Sequence, residues 1–307
     1  MSKLTAVAYY SGIPPGNNNP EKPMILDKFC KGVNAVGDIA IAQHKFEPLA
    51  CDVALIQGFV HEHGKSAPHL TMRKLAIETQ KRNNKKSLIV DSNLFLYSDK
   101  NNTKTYLRYS FDGVFPTTGF YFDKEVDTNR WKKISNDLRL DLKPYRSNGS
   151  HILICLQRNG GWSMGGLDVQ KWLDNTILKI RTISPDRPIV IRKHPGDRKM
   201  KNIKIFQPNI KISQYDNILD DFKNCWATIV YNSSPSIASV IEGVPVFVTD
   251  PCPQNSQSYS VANLDLNKLE SPNLYERQSW IEKLAMCHWN FQELESGEAW
   301  NYFKKFI

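Results

Sequence analysis

The chain has 307 residues, 41% of them hydrophobic and 11% aromatic, enough apolar material for one large α/β domain or two of middle size, which excludes a stapled miniprotein or a disordered polypeptide. Forty Lys and Arg against 31 Asp and Glu leave a formal charge of +9, which permits a polyanionic partner such as nucleic acid or anionic lipid without requiring one. The six cysteines form no C-x-x-C pair and no zinc-spaced set with histidine, so reduced thiols are expected. The first ten residues carry too short an apolar run for a signal peptide, and no stretch nears the roughly eighteen apolar residues of a membrane span. The expectation is a cytoplasmic protein without stable membrane insertion.

Short apolar runs bounded by Gly, Pro and Asn alternate with amphipathic segments, the mark of an α/β domain with a largely parallel sheet. The pattern predicts strands over 4–9, 38–42, 53–57 and 87–91, with helices over 23–31 and 69–83. A polar, turn-prone stretch at 145–150 precedes the apolar run HILICL at 151–156, which reads as a strand buried on both faces. A domain boundary is expected here, giving Rossmann-like domains at 1–146 and 147–275. Within the second, helices are predicted over 168–184, 218–225 and 235–243, and strands over 189–192, 203–206, 227–231 and 244–249. The tail, 276–307, has apolar residues at helical spacing and is expected to pack back on the body.

Three segments of the second half carry groups suited to a phosphate-bearing ligand. YNSSPSIASVIEGVPV at 231–246 delivers a Ser/Asn-rich turn from a strand to a helix that Pro235 would start. Tyr231, Asn232, Ser233, Ser234 and Ser236 are the candidates there, with Ser233 or Ser234 acting either on phosphate or simply as the helix cap. QRNGGWSMGG at 157–166 follows a strand; Arg158, Gly160, Gly161 and Trp162 could approach a diphosphate, or form a plain glycine-rich turn with a surface Arg. The spacing is neither G-x-G-x-x-G nor a Walker loop. IRKHPGD at 191–197 ends a strand with Arg192, Lys193 and His194, which either bind or are structural.

In this order the three segments resemble the donor-binding domain of GT-B glycosyltransferases, most closely the capsule-polysaccharide-synthesis-like group with its R-K-H-P and S-S-x7-E-G-x-P segments. The resemblance spans about residues 150–250. It implies two Rossmann-like domains facing a cleft, a nucleotide sugar with its diphosphate at the Ser233/Ser234 turn, Arg158 and His194 lining the pocket, and Glu242 either orienting the nucleotide or stabilising its helix end. It implies no metal and no cofactor beyond that co-substrate, a UDP-sugar being favoured.

An inverting sugar transferase needs a base for the acceptor hydroxyl, and the resemblance assigns that base to the N-terminal domain. Asp91, His61, Glu62 and His63 are the candidates; Asp91 also reads as a strand-ending cap, and the H-E-H as a weak metal motif. YLRYSFDGVFPTTGFYF at 106–122 interleaves aromatics with Arg108 and Tyr109, and the helix at 69–83 carries Arg73, Lys81 and Arg82. Aromatics and cations together suit a nucleic acid, while an aromatic core beneath a solvated helix explains them equally. Size and charge also resemble the bacteriophage enzymes that glycosylate hydroxymethylated pyrimidines in DNA. The preferred expectation is therefore a glycosyltransferase acting on double-stranded DNA with a hydroxymethylated base such as 5-hydroxymethylcytosine, in the infected host cytoplasm if phage-encoded. The alternatives are a capsule or lipopolysaccharide sugar transferase and a non-catalytic DNA-binding protein on the same fold.

Overall fold

The computed structural model describes residues 3–14, 16, 21–58, 67–95, 106–158, 162–197 and 203–307. The chain divides into two compact units, one of Met1–Leu94, Asn102–Trp131 and Glu282–Ile307, the other of Phe95–Asn101 and Lys132–Ile281.

The first unit opens as a βαβ succession: β1 Thr5–Tyr9, α1 Glu21–Ala35, β2 Ile39–Gln43, β3 Val53–Gln57, α2 Pro68–Arg82 and β4 Lys86–Asp91. These four strands run parallel in the spatial order β2-β1-β3-β4. The apolar runs AVAY and VALI are fully buried because helices cover both faces of such a sheet. A further strand, β5 Leu107–Phe111, then joins β4 antiparallel, and α3 Thr128–Leu138 follows.

Strand β5 decides between the two readings of the aromatic segment. It lies inside the sheet, so Tyr109 is buried beside Phe303, 5.6 Å between ring centroids, and Phe122 stacks on Phe303 at 4.9 Å. Arg108 and Tyr109, expected on an acceptor surface, are thus core residues that no duplex can touch, and the aromatic-core reading holds.

The second unit contains β6 His151–Cys155, α4 Val169–Ile183, β7 Ile189–Arg192, β8 Ile210–Ile212, α5 Ile218–Phe222, β9 Cys225–Val230, α6 Pro235–Ile241 and β10 Val246–Val248. All five strands are parallel, in the order β10-β9-β6-β7-β8. The strand expected over 203–206 is absent; β8 forms after the Pro208-Asn209 turn instead, and Phe206 is 83% exposed. Lys143 N–H donates to Ile241 O (2.8 Å) and Arg146 N–H to Gly243 O (2.9 Å). These bonds tie Lys143 and Arg146 to the second unit, whose main segment starts at Lys132 rather than at 147.

The chain closes with α7 Gln278–Ala285, β11 His288–Trp289, α8 Phe291–Ser296 and α9 Glu298–Phe303. From residue 282 onward it belongs to the first unit, where β11 pairs antiparallel with β5. Arg130 fixes this return. Its guanidinium lies 3.7 Å from the Trp289 ring centroid and grips both Glu293 carboxylate oxygens at 2.5 and 2.8 Å. Among the described residues, no helix is long and apolar enough to cross a membrane.

Candidate functional site

In an open parallel sheet, ligands settle at the carboxyl edge where the strand order reverses. In the second sheet that point lies between β6 and β9, since the chain builds outward to β7 and β8 and then returns to the other side of β6. The register makes the edge specific. Cys155 stands beside Arg192 and Val230, and Val230 beside Val248. Two residues further along each chain come Gln157, His194, Asn232 and Asp250, one polar side chain from each of four strands.

Three of these form a buried network. Gln157 Nε2 donates to Asn232 Oδ1 and Ser163 Oγ, both at 2.9 Å, while Asn232 N–H donates to Gln157 Oε1 at 3.2 Å. Asn232 Nδ2 donates to Ser163 O (2.9 Å) and Asp250 Oδ2 (2.7 Å). Asp250 Oδ1 accepts from Cys252 N–H at 2.8 Å, and the Tyr231 phenol is raised above its ordinary value first by burial and then by the Asp250 carboxylate. A buried network with its partners in place rigidifies its surroundings. Here it clamps the turn after β9 to the loop after β6, whose Gly165 and Gly166 adopt left-handed φ of 59° and 82° that side-chain-bearing residues resist. Gln157, Ser163 and Asp250 were not among the expected site residues.

Arg158 and His194 meet over Gly196. A Cβ placed on that glycine would lie 2.6 Å from Arg158 Nη2 and 3.3 Å from His194 Cε1. Burial and the Arg158 charge push the His194 imidazole below its ordinary value, against the pull of Asp197, so the ring is neutral at pH 7. Gly196 N–H donates to its Nδ1 at 3.0 Å, which leaves the proton on Nε2. The exposed Arg158 guanidinium and this N–H are neighbouring donors suited to an anion.

At the start of α6, Ser234 makes no side-chain cap bond. The amides the sequence left open there are used, Ser236 N–H by Ser233 O (3.2 Å) and Ile237 N–H by Ser234 O (2.9 Å). Open instead are two hydroxyls: Ser233 Oγ and Ser236 Oγ are buried without a hydrogen-bond partner. An orphaned buried group of this kind costs about 1–3 kcal/mol, so each marks a place where a ligand or water completes the structure.

Two residues of the expected set are spoken for. Arg192 donates to the buried Asp221 carboxylate and to the carbonyls of Tyr215 (2.9 Å) and Asp216 (2.6 Å), tying β7 to the 213–221 segment, with Lys193 following it at the strand end. Glu242 sits at the opposite end of α6 from Ser233, about 10 Å along a seven-residue helix, and pairs with Lys143 at 2.6 Å. Its side chain is thus engaged by Lys143, away from the serine turn. Gly160 and Gly161 lie outside the described residues, and Trp162 opens the short 3-10 turn Trp162–Met164.

No protein-family model matches the sequence, and no curated protein matches it. Among solved structures, it is similar to KpsC of Thermosulfurimonas dismutans, described as a beta Kdo 2,4 transferase. The TM-score is 0.57 at 12% identity, covering 96% of this chain and 99% of that one. The beta Kdo 2,7 transferase of KpsC from the same organism gives a TM-score of 0.50 at 13% identity, covering 96% and 98%. The fold is GT-B.

The first unit of the GT-B chain holds the remaining candidates. Asp91, at the end of β4, accepts from Arg108 Nη2 at 2.6 Å and from Ser92 N–H at 2.8 Å, so its carboxylate is engaged. His61, Glu62 and His63 lie outside the described residues. Lys81 and Arg82 are exposed in the last turn of α2, whereas Arg73 is 6% exposed and sits about 12 Å nearer the helix start. The expected basic face is therefore split between opposite edges of the sheet.

Proposed function

We propose that the protein is a glycosyltransferase that moves a sugar from a nucleotide-activated donor, a UDP-sugar being the first to test, onto the hydroxyl of a glycan acceptor. The observation that carries this reading is the pair of orphaned hydroxyls, Ser233 and Ser236, on the same strand-end row as the Arg158–His194 pair. Negative charge grows on the departing phosphate as the glycosidic bond breaks. Arg158 neutralises part of it, the His194 Nε2–H and the serine hydroxyls donate to its oxygens, and the Gln157–Asn232–Asp250 network holds their loops in place. Arg158 brings positive charge of the kind a divalent cation supplies elsewhere, so undiminished turnover in EDTA is expected. The acceptor proton goes to a general base, for which His61, Glu62 and His63 are the open candidates.

Two observations favour a glycan over hydroxymethylpyrimidine DNA: Arg108 and Tyr109 are buried, and two solved structures of similar fold are named as Kdo transferases. The test is a thermal-shift series with UDP, GDP and CMP. One nucleotide should raise the melting temperature, by an amount matching about 2.7 kcal/mol at a hundred times its Kd, and Arg158→Ala and His194→Ala should each abolish the rise. A folded protein that responds to none of the nucleotides refutes the reading. Transfer to hydroxymethylated DNA but to no glycan would restore the DNA acceptor.

A further inference from the structure

The first sheet has its own reversal point, between β1 and β3, because the chain builds β2 on one side of β1 and then crosses to the other. Arg73 occupies it. Its Nε donates to Gly12 O, just beyond β1, at 2.7 Å. Its Nη1 lies 2.8 Å from where a Cβ on Gly58, just beyond β3, would stand, and Gly58 has a φ of +81°. Glycine therefore lets the guanidinium lie against the backbone at the mouth of the sheet.

Among the described residues, the charge on Arg73 is poorly compensated. Burial drives its pKa down to about 10, and the carboxylate acting on it is Asp91, which already holds Arg108 at 2.6 Å. Two buried arginines thus share one carboxylate. Lys22, on α1, is pushed below its ordinary value by burial and by Arg73, with Glu21 opposing. His69, on α2, is lowered by burial, Arg73 and Lys22, and its Nδ1 is buried without a partner. Both helices begin at this edge and direct the positive ends of their dipoles toward it. Beside Gly58, Gln57 Oε1 is also buried and unpartnered. Burying a cation that shares its counter-charge with a second arginine is costly, and a ligand that brings negative charge offsets that cost.

We propose that Arg73, Lys22 and His69 form a binding site for one compact anionic group, a carboxylate or phosphate, and, building on the function proposed above, that this group belongs to the sugar acceptor. Arg73 supplies the charge-assisted bonds, Lys22 adds charge, and Gln57 Oε1 accepts a neighbouring hydroxyl. The depth of Arg73 sets the size of the ligand: a terminal group reaches a guanidinium 6% exposed, whereas the outer face of a duplex does not.

The test uses the whole protein with glucuronate, inorganic phosphate and glucose at constant ionic strength, read by thermal shift and equilibrium dialysis. One or both anions should bind and glucose should not; the tighter anion distinguishes a sugar acid from a sugar phosphate. Arg73→Gln should weaken binding at least about tenfold, the loss expected of one charge-assisted bond, and Lys22→Ala about threefold, the loss of a partly exposed charge, with nucleotide binding by the second unit unchanged. Lys22→Ala alters a partly exposed side chain, so it decides the matter if Arg73→Gln does not fold. The proposal is overturned if neither anion binds, if both variants bind as the parent does, or if a duplex of about 20 base pairs binds through Arg73 in preference to the small anions. Anion binding without any nucleotide binding would leave the site standing and remove the acceptor assignment.

Discussion

His288 gives the first unit a built-in sensitivity to acid. The imidazole is fully buried, and both ring nitrogens are committed: Nδ1 donates to Leu284 O at 2.9 Å, and Nε2 accepts from Leu94 N–H at 3.3 Å. Protonating Nε2 would cost the ring its bond from Leu94 N–H. Burial, with Arg108 and Arg130 adding to it, lowers the pKa from 6.5 to about 3. The folded state therefore binds fewer protons than the unfolded one, and stability present above 6.5 is lost as pH falls through that value toward 3. Linkage puts the loss at about 2 kcal/mol between about pH 8 and pH 5, and at more than about 4 by pH 3. Urea unfolding of the parent and of His288→Gln at the two higher pH values isolates the effect. Glutamine keeps one donor and one acceptor but does not titrate, and contributions from His69, His151 and His194, all lowered, cancel between the proteins. The parent should lose about 2 kcal/mol more than the variant on acidification, and parallel pH profiles would refute the argument.

Two other substitutions separate binding from stability. Ser236→Ala removes a buried hydroxyl that has no partner, so the free protein should unfold at equal or higher urea, with a gain of up to about 1–3 kcal/mol, while its nucleotide-induced thermal shift shrinks; a clear loss of stability would show that the hydroxyl is satisfied in the native state. Glu293→Ala strips a 6% exposed Arg130 of its carboxylate and removes the Asn290 capping box, which should lower stability by about 3–5 kcal/mol, and a change below about 1 in urea titration would contradict the clamp described for the C-terminal return.

Much of the fold was legible because parallel strands buried on both faces are continuous apolar runs, and VALIQ at 53–57 and IVIR at 189–192 lie where periodicity puts them. The segment IKIF at 203–206 and IKI at 210–212 carry the same alternation, and only the sheet's need for a strand beside Ile189 chooses the second. Strand β5 was hidden because Arg108 and Tyr109 imitate a binding face, and a buried arginine is intelligible only once Asp91 and the Val114 carbonyl are seen around it. At the site, the Ser233 turn and the Arg158 and His194 segments could be picked out locally. The Gln157–Asn232–Asp250 network could not, since its members are 75 and 18 residues apart. Each lies two positions beyond a buried strand, however, and that offset was a signal available in the sequence.

The return of residues 282–307 to the first unit also governs the order in which the protein can be made. A chain emerging from the ribosome has its domains fold as units, usually the N-terminal one first. Here β1 to β5 must wait through the synthesis of the entire second unit before β11, Glu293 and Phe303 arrive to cover them. The second unit, later in sequence, is the earlier to have its main body complete. Until then Tyr109 and Phe122 lack Phe303, and the Arg130 guanidinium lacks Trp289 and Glu293, so the nascent first unit holds apolar surface and a cation that only the last residues cover.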